Sequence, residues 1–155
     1  MTDFEILDCT FRDGGYLNDW NFDKKLVREG YRALSKSGVD YIEIGFRGTE
    51  RNFSKEKYGL WRFSREEDLN EVIANIKGAK LALMADYGKI DLQDFEDADN
   101  SSVELVRVAA HKDHLKDAIL FLEKVKRKGY KTSLNAMGFA NYSDTERQEV
   151  VSMAK

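Results

Sequence analysis

Short apolar runs alternate with longer amphipathic stretches along the whole chain. The apolar runs have strand length and composition and lie at residues 4–10, 41–46, 80–85, 103–110 and 130–137. Stretches with apolar residues at helical spacing lie at residues 23–37, 64–76, 114–128 and 143–154. The acidic segment 91–100 is predicted to form a short helix or a loop. This alternation predicts about five consecutive β/α units.

Local signals mark the ends of the first long helix. Asp23 is predicted to be its N-cap and Gly38 the residue that ends it. Leu26, Tyr31 and Leu34 have the spacing of its buried stripe.

Two later helices carry similar signals. Ser64 and Glu67 have capping-box spacing at the start of the helix at 64–76. Gly129 is predicted to end the helix at 114–128. Within the helix at 114–128, core spacing is shown by Leu115, Ile119, Leu122 and Val125.

The predicted fold class is α/β, with parallel strands joined by helices in one domain over residues 1–155. Neither an internal linker nor a shift in composition divides the chain. An open doubly wound sheet and part of a (β/α) barrel both fit this pattern. No GxGxxG follows the first strand and no Walker-type phosphate loop occurs anywhere, which argues against a nucleotide-binding fold.

Composition narrows the class of partner. The 155 residues carry a formal net charge of -3 with both signs interspersed, which argues against a nucleic-acid surface and favours small-molecule chemistry. Cys9 is the only cysteine, so no internal disulfide is expected. No signal peptide and no apolar stretch of about 20 residues is present. We therefore expect a cytoplasmic protein without membrane attachment.

The most informative segment follows the first apolar run and reads Asp-Cys-Thr-Phe-Arg-Asp-Gly-Gly over residues 8–15. It places Arg12 beside Asp13 at the predicted carboxyl end of a strand, where (β/α) barrels keep their catalytic groups. A carboxylate can bind a hard divalent cation, and a guanidinium can stabilise an oxyanion or enolate. Gly14 and Gly15 are expected to allow a sharp turn and close approach to a ligand. The alternative is a surface ion pair in a Gly-rich turn.

Glu43 lies inside the apolar run 41–46, where a parallel strand is expected to be apolar on both faces. A buried carboxylate needs a partner, and Arg12 on the neighbouring strand is the expected one. A purely structural pair is an equally weighted alternative. Further polar side chains occur at or near the ends of later strands, which predicts one shared pocket. They are Asp86, Arg107, His111 and Asn135.

These residues resemble the DRE-TIM metallolyases, a superfamily that includes 4-hydroxy-2-oxovalerate aldolases, HMG-CoA lyases and isopropylmalate synthases. The resemblance rests on the Asp-x-Thr-x-Arg-Asp-Gly pattern at residues 8–14 and on the glutamate of the second strand. It is closest to the 4-hydroxy-2-oxovalerate aldolase branch, through Tyr-Ile-Glu-Ile-Gly at 41–45, Tyr-Gly at 58–59 and Val-Arg-Val-Ala-Ala-His at 106–111.

The resemblance covers the whole chain and implies a TIM-barrel type fold, with about five of eight β/α units present and the domain truncated at its C-terminus. It implies that Asp13 is a metal ligand for Mn²⁺ or Mg²⁺. Arg12 would stabilise the enolate of a 2-oxo acid, and Glu43 would orient Arg12. The implied activity is that of an aldolase or lyase.

Departures from the family pattern shape the remaining expectations. Related aldolases carry a histidine where Gly15 and Tyr16 stand here, so Tyr16 is the remaining candidate for acid–base chemistry, although a phenol near pKa 10 would need help. The family's His-x-His pair is absent, since the only histidines are His111 and His114. Their i, i+3 spacing at a predicted helix start favours a helix-start role or loop exposure over metal ligation. His111 is still predicted to contact substrate at the mouth of the pocket, and Arg107 and Asn135 are predicted substrate contacts as well.

Two alternatives to the aldolase remain open at this point. One is a Claisen-type acyltransferase of the same superfamily. The other is a non-catalytic half-barrel subunit, whose open sheet edges a second copy or another partner chain would complete. The loop at 47–63 is basic and aromatic, which fits either a lid over an anionic substrate or an exposed loop that packs its rings on a neighbour.

Overall fold

The computed structural model describes residues 4–153 and contains one sheet with helices on one side. The strands are β1 Leu7–Asp8, β2 Tyr41–Phe46, β3 Lys80–Asp86, β4 Val103–Ala110 and β5 Lys131–Ala136. The α-helices are α1 Thr10–Gly14, α2 Lys24–Ser37, α3 Glu66–Ile73, α4 Leu115–Arg127 and α5 Asp144–Met153. The predicted end of the last helix at Ala154 lies outside the described residues.

All neighbouring strands are parallel, and their order in the sheet is β1-β2-β3-β4-β5. A doubly wound sheet reverses its strand order at a switch point, whereas a (β/α) barrel adds each strand beside the previous one. The observed order is therefore that of a curled half-barrel, and the predicted barrel-type fold is confirmed. The core lies between the sheet and its helices and includes Val27, Val72, Ala118 and Val125, all of them buried.

A one-residue irregularity in β2 decides which way its last side chain points. The register with β3 shifts between Glu43 and Gly45, so Ile44 is an extra residue in the ladder. Phe46 therefore pairs with Met84, whereas regular pairing from Glu43 onward would place it opposite Ala85. Laterally paired residues point to the same side of a sheet, so Phe46 lies on the face that carries Glu43.

A second irregularity occurs in β4. Val103 and Leu105 pair with successive residues of β3, which leaves Glu104 as the extra residue. Regular alternation from Val103 would turn Arg107 toward the helices. The shift instead turns Arg107 to the face of Glu43.

The helix boundary signals were partly confirmed. Asp23 caps α2 by accepting a hydrogen bond from the Leu26 N–H at 2.7 Å, and Gly38 follows the helix with φ 88°. Leu26 itself is 52% exposed, so its predicted burial was wrong, and Val27 takes that place in the core. Successive residues of a helix point in directions about 100° apart, so an error of one residue in the buried stripe exchanges an exposed side chain for a buried one.

The predicted capping box at Ser64 was wrong. Helix α3 begins at Glu66 with Arg65 at the N-cap position and no side-chain cap. Ser64 is fully buried at φ 41°, and its hydroxyl donates to the Trp61 carbonyl at 3.1 Å. Tertiary burial of the preceding loop therefore overrides the local capping signal.

The first strand is shorter than predicted. Pairing with β2 covers only Leu7 and Asp8, and helix α1 follows directly. Gly14 and Gly15 have helical φ values of -61° and -58°, so the predicted sharp glycine turn was wrong. A Cβ on Gly15 would lie 2.1 Å from the Trp20 ring, so this glycine makes room for a side chain of the chain itself.

Within residues 4–153, no helix combines the length and the apolar character needed to cross a bilayer.

Candidate active site

Two guanidinium groups share one buried carboxylate at the centre of the site. Glu43 is fully buried; its Oε2 accepts from Arg12 Nε at 2.7 Å, and both its oxygens lie 3.2 Å from Arg107 Nη1. The side chains of Arg12 and Arg107 are 15% and 17% exposed, so both are mostly buried but neither is closed off from solvent. The predicted pair between Arg12 and Glu43 is confirmed, and Arg107 joins it.

Packing around α1 positions Arg12. Phe11 is buried beside Gly30 of α2, where an added Cβ would lie 2.4 Å from the Phe11 ring. The indole N–H of Trp20 donates to the Arg12 carbonyl at 3.0 Å. Burial opposes the positive charge of Arg12, but Glu43 and then Asp13 raise its pKa. Arg12 is therefore a fixed cation in this site.

Arg107 connects the pair to β5 and to Cys9, the residue after β1. Its Nη2 donates to Asn135 Oδ1 at 3.4 Å, and its Nη1 lies 3.6 Å from Cys9 Sγ. Burial and the nearby Glu43 carboxylate raise the pKa of the Cys9 thiol. The predicted residues Arg107 and Asn135 are thus brought together on the same face as Glu43.

Asp13 is the carboxylate that the resemblance assigns to a metal. Its side chain is 60% exposed and accepts a hydrogen bond from Arg12 Nη1. Among residues 4–153 there is no group of three or more His, Cys, Asp or Glu side chains placed to hold a metal ion. The described residues therefore supply one candidate ligand and do not form a complete cation site.

A cavity of about 310 Å³ adjoins this cluster. Tyr16 and His111, two of the predicted site residues, line it, whereas Arg12, Asp13, Glu43 and Arg107 do not. Tyr16 is 65% exposed at its rim and packs edge-on against Trp20 with ring centroids 4.7 Å apart. The structure therefore divides the predicted residues between a charged centre and a neighbouring ring-lined cavity.

Arg62 is the feature that the sequence did not single out. It is 4% exposed, and its guanidinium carbon lies 4.0 Å from the Phe46 ring centroid and 3.8 Å from that of Phe53. Its Nη2 donates to Asp86 Oδ2 at 2.6 Å. In the sequence Arg62 is one of several basic residues in a loop that also contains aromatic residues, and nothing distinguishes it from the others.

The loop at 47–63 forms a packed wall beside the site. Trp61 is fully buried, and its indole N–H donates to the Phe22 carbonyl at 2.8 Å. Gly48 N–H donates to the Arg62 carbonyl at 2.9 Å, which closes the loop on itself. Gly45 lets the loop approach β2, since an added Cβ there would lie 2.0 Å from the Trp61 carbonyl oxygen. These contacts favour the packing interpretation of the loop aromatics over an open lid.

Comparison with known proteins gives relatives by sequence. No family model matches the chain. The chain is 32% identical to 4-hydroxy-2-oxovalerate aldolase 6 of Rhodococcus jostii (strain RHA1) over 109 residues, 70% of this chain and 30% of that protein. It is 31% identical to 4-hydroxy-2-oxovalerate aldolase of Moorella thermoacetica over 106 residues, 68% of this chain and 31% of that protein. The matched region thus spans about a third of the length of these curated relatives.

Solved structures give the fold. The N-terminal domain of a putative aldolase from Bacteroides vulgatus superimposes with a TM-score of 0.70 at 22% identity, over 97% of this chain and 60% of that one. An HMG-CoA lyase from Acinetobacter baumannii, solved with coenzyme A and 3-methylmalate, gives a TM-score of 0.60 at 16% identity, over 99% of this chain and 54% of that one. Both comparisons support the barrel-type fold.

Proposed function

Because the chain belongs to the DRE-TIM metallolyase superfamily, we propose that it carries the enolate-stabilising half of an aldolase that makes or breaks a C–C bond at a 2-oxo acid. The observation that carries the proposal is the pair of guanidiniums held by Glu43 at 2.7 and 3.2 Å, facing the inside of a half-barrel. An aldolase is preferred to a Claisen-type acyltransferase because the curated relatives are named as aldolases.

The chemistry needs a cation where negative charge develops. In the cleavage direction the 4-hydroxyl loses its proton, the C3–C4 bond breaks, an aldehyde leaves, and the bonding electrons pass to the C2 oxygen as an enolate. Protonation at C3 then yields the shorter 2-oxo acid. Arg12 is the proposed hydrogen-bond donor to the enolate oxygen, because its guanidinium is fixed by Glu43 and partly open.

Arg107 and Asn135 are proposed to bind the carboxylate end of the 2-oxo acid. Only Nη1 of Arg107 contacts Glu43. The other terminal nitrogen, Nη2, donates to Asn135 Oδ1 at 3.4 Å. Glu43 is a positioning residue, since it is fully buried and acts through both arginines. Tyr16 and His111 are proposed to contact the departing aldehyde from the cavity side, with Tyr16 the candidate proton carrier.

We include a divalent cation, Mn²⁺ or Mg²⁺, in the proposal only because the chain resembles a family of metal-dependent enzymes. Asp13 is its proposed ligand, and further ligands would have to come from outside the described residues. Hard cations need several oxygen ligands for useful affinity, so one carboxylate does not suffice. The remaining barrel strands are likewise proposed to come from beyond this chain's sheet, either from the same polypeptide or from a partner chain.

The direct test uses the complete barrel with Mn²⁺ or Mg²⁺ supplied, and follows by NMR the exchange of the C3 protons of pyruvate for deuterium in D₂O. Enolate formation alone produces exchange, so no aldehyde is required. We expect Arg12→Lys to lower the exchange rate about 10²- to 10³-fold, the usual effect of losing one oxyanion donor.

Arg32→Lys is the matched control, because Arg32 pairs with Glu29 on the exposed surface of α2. It should exchange pyruvate protons at the wild-type rate, and circular dichroism should show both variants folded. Absence of exchange in the wild-type protein, or an unchanged rate in Arg12→Lys, would overturn the proposed role.

A further inference from the structure

We propose that the cavity of about 310 Å³ beside Arg12 binds the aldehyde partner of the reaction and that this partner is a hydroxylated aldehyde rather than a small apolar one. This inference rests on the proposed function and adds the class of substrate. The argument uses the position of the cavity, one buried ion pair and the chemistry of the lining.

The cavity adjoins the proposed enolate site through two elements. Tyr16 lies three residues after Asp13 and lines the cavity, and Trp20 lines it while donating its indole N–H to the Arg12 carbonyl. From the other side, His111 and the two alanines before it line the cavity just beyond Arg107 on β4. An aldehyde bound there would lie next to the carbon that becomes nucleophilic.

Arg62 makes this a built site rather than a surface depression. The side chain is almost completely buried in the cavity wall between two aromatic rings. Its Nε is buried and, within residues 4–153, has no hydrogen-bond partner. Its bond to Asp86 fixes a carboxylate on the wall as well, and Lys89 lies 4.0 Å from the same carboxylate.

The lining offers both kinds of hydrogen bond. Asp86 accepts, Arg62 and Lys89 donate, and the phenols of Tyr16 and Tyr87 do either. A hydroxyl group donates and accepts, so a chain of hydroxyls matches this set. A carboxylate only accepts and so has no hydrogen to donate to Asp86, whereas an alkyl chain would leave buried polar groups unpaired.

Size points the same way. A cavity of about 310 Å³ has room for several water-sized groups, which is more than a two-carbon aldehyde would fill. The aromatic walls are suited to the C–H faces of such a chain, while its hydroxyls reach the polar groups between the rings.

The test compares three four-carbon aldehydes: D-erythrose, butanal and succinic semialdehyde. Binding without any 2-oxo acid is followed by the fluorescence of Trp20, which lines the cavity, against the background of Trp61, which does not. Aldol addition to pyruvate then gives kcat/KM for each aldehyde. We expect D-erythrose to be preferred by at least about 100-fold over butanal, because a site built for hydroxyls strongly rejects analogues without them.

Lys89→Met removes one donor at a side chain that is 56% exposed and should weaken D-erythrose binding about tenfold. Asp86→Asn should weaken it further, with thermal melting used to confirm its fold. Lys77→Met, at an exposed lysine outside the cavity lining, is the matched control and should bind D-erythrose as the wild type does.

Equal or tighter binding of butanal or succinic semialdehyde would overturn the inference, as would unchanged D-erythrose affinity in Lys89→Met. Pyruvate proton exchange needs no aldehyde. Exchange without a D-erythrose preference would therefore refute the substrate class alone, and D-erythrose binding without exchange would refute the proposed function alone.

Discussion

Glu43→Gln is the substitution that most directly tests the charged centre. Glutamine has nearly the same volume as glutamate and keeps one acceptor oxygen, so packing around residue 43 is preserved. What disappears is the negative charge that Arg12 and Arg107 share, and the side chains of these arginines are only 15% and 17% exposed. The two cations would then face each other across a neutral amide, with Asp13 still beside Arg12.

The magnitude follows from the geometry. At an effective dielectric constant of about 20, each guanidinium–carboxylate pair at about 4 Å between charge centres contributes about 4 kcal/mol. Part of that is recovered because neither arginine is closed off from water. Removing one member of a buried ion pair costs about 3–5 kcal/mol, and we expect the loss for Glu43→Gln to fall in that range.

The assay is thermal and urea unfolding at pH 7. A loss of about 3–5 kcal/mol corresponds to a fall in Tm of about 6–20 °C for a chain of this length. Adding Arg107→Gln to Glu43→Gln should restore part of the loss, because one uncompensated cation is removed.

Glu29→Gln is the matched control, since Glu29 makes an exposed pair with Arg32 and its loss should cost less than about 1 kcal/mol. A Tm for Glu43→Gln within about 2 °C of the wild type, or a double variant less stable than the sum of the single losses, would refute this account of the site.

Three further predictions concern stability and reactivity. Gly45→Ala should cost about 3 kcal/mol, because the new methyl group meets the Trp61 carbonyl, whereas Gly14→Ala, whose Cβ would lie 3.5 Å from Phe22, should be tolerated; unfolding in urea compares them. Burial opposes the ionised form of Glu66, but the Ser102 N–H and Arg47 lower its pKa, so its contribution is present above about pH 4.3 and is lost as the pH falls through the folded value. The urea midpoint of Glu66→Gln should therefore fall less between pH 6 and pH 3 than that of the wild type, and equal falls would contradict this. Cys9 should react with iodoacetamide at pH 8.5 more slowly than free cysteine, because its pKa is raised, and unfolding in guanidinium should remove the difference.

Much of this architecture was predictable because its signals are local or chemically conspicuous. Asp23 and Gly38 bound α2 as expected, since an N-cap acceptor and a left-handed glycine act within one turn. The pair of Arg12 and Glu43 was predictable because a carboxylate inside an apolar strand requires a nearby cation.

Other features depend on tertiary packing that the sequence does not display. The strand β1 pairs over two residues only, and the segment that follows forms α1, whose Phe11 packs against Gly30 of α2. Ser64 has a capping sequence but is buried under its own loop. Arg62 looked like an ordinary loop cation, and only the fold reveals that two aromatic rings enclose it.

The extra residues Ile44 and Glu104 have a consequence for comparing this chain with its relatives. Each one shifts the alternation of its strand, and Phe46 and Arg107 face the inside of the half-barrel. A relative that lacks either residue would reach the same facing by regular alternation, because Phe46 and Arg107 would still pair with Met84. A one-residue gap at these two positions is therefore compatible with this chemistry, whereas a one-residue gap between Leu105 and Arg107 would turn the arginine away from Glu43.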